Sequence, residues 1–137
     1  MVQLIKVLFA IAASSLTGCV SASPFGDAEN MYIKASALTK LSAAVEATVR
    51  YESPPEDLSD KELLHLATKH DPSLLSPFEG YTLKVNRANR HAVVLVCSED
   101  GVRGLLEDVG CSSEMDKYLW ETKNPCTFSI SASEMCN

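Results

Sequence analysis

Three histidines, five cysteines and several adjacent carboxylates are the residues of this chain able to do chemistry. His65 and His70 are five residues apart, about 500° around a helix, so they do not share a face as an i, i+4 metal pair does. No H-E-x-x-H occurs, and His91 stands far from both. Cys97, Cys111, Cys126 and Cys136 are separated by 14, 15 and 10 residues, without the C-x2-C knuckle of a structural zinc site. Neither metal nor cofactor is expected. There is no G-x-S-x-G elbow, P-loop or dinucleotide fingerprint. Glu99-Asp100 and Glu107-Asp108 are the acidic clusters, and two carboxylates suffice for glycoside hydrolysis. Adjacent acids in a small domain are expected to be solvated faces, and a small sheet leaves little room for a cleft.

Two clusters suggest binding. Lys84, Arg87, Arg90 and His91 crowd one hairpin tip in an otherwise acidic chain, where they could meet a phosphate, a carboxylate or an acidic protein. Tyr118-Leu119-Trp120 contains the one tryptophan, a residue type that serves as a core anchor or a binding hot spot. With 12 Lys+Arg against 18 Asp+Glu, net charge −6, the chain is not expected to bind nucleic acid, where affinity comes from positive charge on phosphate. A hydrophobic fraction of 46% excludes a disordered acidic tail.

The elements that must position these residues follow from periodicity. Met31, Ala35, Leu38, Leu41, Val45 and Val49 form a helical stripe, with Lys34, Lys40, Glu46 and Arg50 off its centre. Pro54-Pro55 ends that helix. Ser59-Asp60-Lys61-Glu62 is a capping box flanked by Leu58 and Leu63, and it starts a second helix expected to reach His70. Tyr81, Leu83 and Val85 alternate with polar residues as a half-buried strand. Residues 91–97 are apolar on both faces and read as the central strand. Asp100-Gly101 favours a hairpin into a third strand through Leu105 and Leu106, although residues 102–109 also fit a helical face. Residues 113–120 read as a short helix, and Cys126, Phe128 and Ile130 as a last strand. The order predicts an α+β fold: two N-terminal helices, then a small antiparallel sheet with helices on one face.

The chain opens with Lys6, the apolar run 7–13 and small residues, the pattern of a secretory signal peptide too short to span a bilayer. It ends in Leu16-Thr17-Gly18-Cys19, which resembles the lipobox of bacterial lipoproteins: aliphatic, small, small, cysteine. The resemblance covers the signal segment. It implies cleavage before Cys19 and a diacylglycerol on its sulfur, so that residues 1–18 are removed and the chain is membrane-anchored rather than membrane-spanning. An Asp just after the cysteine tends to retain such lipoproteins at the inner membrane. Val20 stands there, so the resemblance implies the outer membrane, facing the periplasm. Residues 19–30 then read as a lipidated N-terminus and flexible tether, and 31–137 as one periplasmic domain.

The same resemblance leaves Cys97, Cys111, Cys126 and Cys136 as an even set for two disulfides in an oxidising compartment. Local pairing, Cys97 with Cys111 and Cys126 with Cys136, is the simplest of three arrangements. A longer link such as Cys97 with Cys126 would tie the last strand to the sheet. Anchor, tether and stiffened domain predict a non-enzymatic adaptor or assembly factor that binds an envelope protein. By size and layout it is similar to the lipoprotein pilotins that escort secretin subunits to the outer membrane. The alternative is a small cell-wall or small-ligand enzyme using Glu107 or Asp108.

Overall fold

The computed structural model describes residues 24–111, 115–116 and 125–136. Helix α1 runs Pro24–Glu52. All six stripe residues are buried, with Leu38, Leu41 and Val45 fully so. The helix begins inside the segment read as tether, because a proline in the first turn lacks only an N–H that has no intrahelical partner. Glu46, expected off the stripe, is buried on the sheet side.

Helix α2, Asp60–Ala67, starts at the capping box. Ser59 N–H donates to Glu62 Oε2 at 2.8 Å, and Glu62 N–H donates to Ser59 Oγ at 3.2 Å. These bonds hold the Glu62 carboxyl below its ordinary pKa, the backbone N–H contributing most. The helix stops before His70. Thr68 caps it, its hydroxyl donating back to the Leu64 carbonyl, and a 3-10 helix follows over Pro72–Phe78.

Strands β1 (Thr82–Ala88), β2 (His91–Cys97) and β3 (Gly104–Val109) form an antiparallel sheet with β2 in the centre. A two-residue strand β4, Met115–Asp116, extends it beyond β3. Those two residues are thus strand, not part of the helix expected over 113–120. Tyr118, Leu119 and Trp120 lie outside the described residues, as does Cys19. Residues 102–109 resolve in favour of the strand. The hairpin is wider than a two-residue turn: Ser98 N–H bonds the Arg103 carbonyl, and Gly101, at φ +72°, donates to the Ser98 carbonyl. Asp100 caps this loop. Its carboxyl is held below the ordinary range by the Ser98 hydroxyl first and the Val102 N–H second.

Alternation along β2 separates two cores. Ala92, Val94 and Val96 join Leu106 of β3 against α1, Leu63, Leu64 and Phe78. Val93, Leu95 and Cys97 face the other way, under Phe128, Ile130, Ala132 and Cys136. The second face is therefore covered too, by the C-terminal segment, as the doubly apolar run of β2 requires. In that segment Cys126, Phe128 and Ile130 point inward as their alternation predicts, yet residues 126–131 are not a strand. The N–H groups of Ser129 and Ile130 bond a side chain, Glu107, instead of a neighbouring ladder. A four-residue helix α3, Ala132–Met135, follows.

The disulfides cross rather than pair locally. Cys97 joins Cys126 across 29 residues, and Cys111 joins Cys136 across 25. Cys111 follows β3 and Cys136 caps α3, so both links bind the C-terminal segment onto the sheet face it covers. Among the described residues no helix is long and apolar enough to cross a membrane.

Candidate functional site

Strand β3 turns Glu107 and Asp108 to opposite faces of the sheet, and both are fully buried. The expectation of a solvated acidic face holds for Glu99 and Asp100, which are exposed, and fails for this pair. Nor do Glu107 and Asp108 converge as an acid and base would need to. Glu107 faces the C-terminal segment, where its carboxylate accepts from Ser129 N–H at 2.9 Å, Ser129 hydroxyl at 2.6 Å and Ile130 N–H at 2.6 Å. That satisfies a charge whose burial would otherwise be costly.

Asp108 faces α1. Its Oδ2 accepts from the Ser42 hydroxyl, while Oδ1 is buried with no hydrogen-bond partner among the described residues. Burial pushes its pKa from 3.8 up to about 6, against a smaller lowering by Ser42. One helical turn beyond Ser42, Glu46 reaches the start of β2. Its Oε1 meets His91 Nδ1, and its Oε2 accepts from the Ala92 N–H at 2.7 Å. Gly110 allows this approach. A Cβ there would lie 2.4 Å from Glu46 Cβ and 2.5 Å from the Ser42 carbonyl oxygen. Ser42, Glu46, Asp108 and His91 thus make a polar seam where α1 crosses the end of the sheet. Sequence reasoning missed Ser42 and Glu46. The available signal was their i, i+4 spacing alongside Leu38, Leu41 and Val45, which places them on the buried side.

The seam borders the second disulfide. A His91 ring nitrogen and the sulfurs of Cys111 and Cys136 lie within 4.8 Å of one another. Cys111 is exposed and Cys136 is 9% exposed, whereas the Cys97–Cys126 bond is enclosed.

Of the basic residues expected at one tip, Arg87, Arg90 and His91 flank the turn between β1 and β2, and Lys84 lies further along β1. Lys84 sits in mid-strand and donates to the Cys126 carbonyl at 3.4 Å, on the C-terminal side. Arg87 donates to the carbonyls of Pro54 and Pro55, and Arg90 to that of Arg50 in the last turn of α1. Helix ends and turns leave carbonyls unpaired with negative partial charge, and these guanidinium groups satisfy them. Together with His91 on Glu46, the four side chains fasten the hairpin to its neighbours.

An apolar groove lies elsewhere, between the first half of α1 and the 3-10 helix. It has a volume of about 590 Å³, and its lining includes Tyr32, Ile33, Ala37, Leu74 and Pro77 together with the charged Lys40 and Asp71. Tyr32 and Ile33 are each 60% exposed, unlike the buried stripe of the same helix. Comparison with protein-family models, with curated proteins and with solved structures finds no match to this chain.

Proposed function

We propose that the chain is a lipid-anchored envelope protein, held by Cys19 at the outer membrane, that binds an envelope protein partner as a non-enzymatic adaptor or assembly factor. The observation that carries this reading is the groove with Tyr32 and Ile33 at its edge. Large side chains beside a groove are what protein interfaces bury at their centres. Its position suits an anchored protein. Pro24 comes five positions after Cys19, at most about 18 Å of chain. Ile33 lies nine residues further on, about 14 Å along the helix. The groove therefore stands within about 30 Å of the membrane that holds the lipid. Two disulfides agree with an oxidising compartment.

The test has two arms in the native envelope. Intact mass should show an acylated Cys19 as the first residue, and Cys19→Ser should leave the membrane fraction. A photo-crosslinking residue at position 36, on the groove wall, should capture one envelope protein, and Ile33→Asp should abolish that capture. A free thiol at Cys19 overturns the anchor. Capture that survives Ile33→Asp, or no capture, overturns the binding surface.

A further inference from the structure

We infer that Cys111, Cys136 and His91 form a redox-gated site for a zinc-like divalent cation, closed as a disulfide and opened by reduction. Three separate elements converge on it: the start of β2, the end of β3 and the cap of α3. The disulfide itself holds the two sulfurs together, and a ring nitrogen of His91 lies within 4.8 Å of both. Two thiolates and an imidazole are the donors zinc prefers, at about 2.3 Å for sulfur and 2.0–2.1 Å for nitrogen. In a tetrahedron those bonds place the donors about 3.5–3.8 Å apart, so on reduction the two sulfurs must part to about that distance while His91 stays in place.

The surroundings favour the same assignment. Metal-ligating histidines commonly give their second ring nitrogen to a carboxylate, which fixes the tautomer and aims the ring. Glu46 meets His91 Nδ1 in this way, and the proposed site takes Nε2 as its ligand nitrogen. Glu46 is itself held by the Ala92 N–H, so the ring is aimed by a rigid partner. Of the two disulfides, this one includes an exposed residue, Cys111, and access is what a reductant needs.

The step balances with a dithiol reductant. It supplies two electrons and two protons, becomes its own disulfide, and leaves Cys111 and Cys136 as thiols. Binding of Zn²⁺ then releases both thiol protons. The fourth position stays open to water.

The experiment uses the chain under limiting dithiol, with alkylation and peptide mapping to establish which bond has opened. Zinc stoichiometry is read by native mass spectrometry, and Co²⁺ serves as a spectroscopic probe. One ion should bind per chain when Cys111–Cys136 is open, and none when it is closed. Thiolate-to-cobalt charge transfer should appear with tetrahedral d–d bands. His91→Ala should weaken zinc at least tenfold, and Glu46→Gln about 10–100-fold, as positioning carboxylates do. Equal zinc on the open and closed forms overturns the proposal. So does retention in Cys111→Ser, or full affinity in His91→Ala. Should Cys111→Ser not fold, His91→Ala decides alone. Loss of the circular dichroism spectrum on opening this one bond also overturns it, since no preorganised site would then remain.

Discussion

Asp108 makes this domain less stable as pH rises from 4 to 7, and the size of the effect follows from its surroundings. The carboxyl is fully buried, and among the described residues its one hydrogen-bond partner is the Ser42 hydroxyl on Oδ2. Its folded pKa of about 6 exceeds the ordinary 3.8. Below pH 3.8 both folded and unfolded chains carry the proton, and Asp108 costs nothing. As pH rises towards 6 the unfolded chain releases its proton first, so the folded state is progressively disfavoured. The full difference is about 3 kcal/mol, of which about 2–3 kcal/mol develops between pH 4 and 7. For a domain of this size that corresponds to about 10–20 °C in melting temperature. Asp108→Asn keeps the shape and an acceptor for Ser42 but cannot ionise. Urea unfolding followed by circular dichroism at pH 4, 5, 6 and 7, for both chains, isolates the contribution, because every other titrating group cancels in the difference. The wild type should lose about 2–3 kcal/mol relative to the variant across that range. Parallel curves, or a wild type that gains on the variant as pH rises, would refute the reasoning.

Three further outcomes test the packing of the seam and the covered sheet face. Gly110→Ala drives a methyl into Glu46 and the Ser42 carbonyl, and should cost about 1–3 kcal/mol in urea unfolding with no change in disulfide content. Glu107→Ala strands the Ser129 and Ile130 N–H groups. It should cost about 3 kcal/mol, and amide exchange should quicken at those two residues before it does in β2. Ser59→Ala removes the capping hydroxyl of α2 and should cost about 1 kcal/mol, with the loss of protection confined to the first turn.

The covered helices and the central strand were legible in sequence because their signals are local and periodic. The stripe of α1, the capping box of α2 and the doubly apolar run of β2 each specify a face or an end from residues within one turn or one pleat. The segment 126–131 shows where that legibility stops. Its alternation correctly named the buried side chains, but strand pairing depends on a neighbour with free carbonyls and N–H groups, and here the neighbour is the carboxylate of Glu107. The basic residues show the same limit. Lys84, Arg87, Arg90 and His91 are close in sequence, yet the pleat sends Lys84 to one side, and carbonyls some 30 to 40 residues away claim the arginines.

From its residues alone this protein had its α+β class, the buried stripe of its main helix and its first two strands settled, because hydrophobic period and capping act over a few neighbours. The disulfide partners, the burial of Glu46, Glu107 and Asp108, and the meeting of His91 with Cys111 and Cys136 were decided only in three dimensions. Each of these depends on which distant groups share a small, water-poor volume. Burial and hydrogen-bond satisfaction are properties of that volume, and no spacing along the chain encodes them.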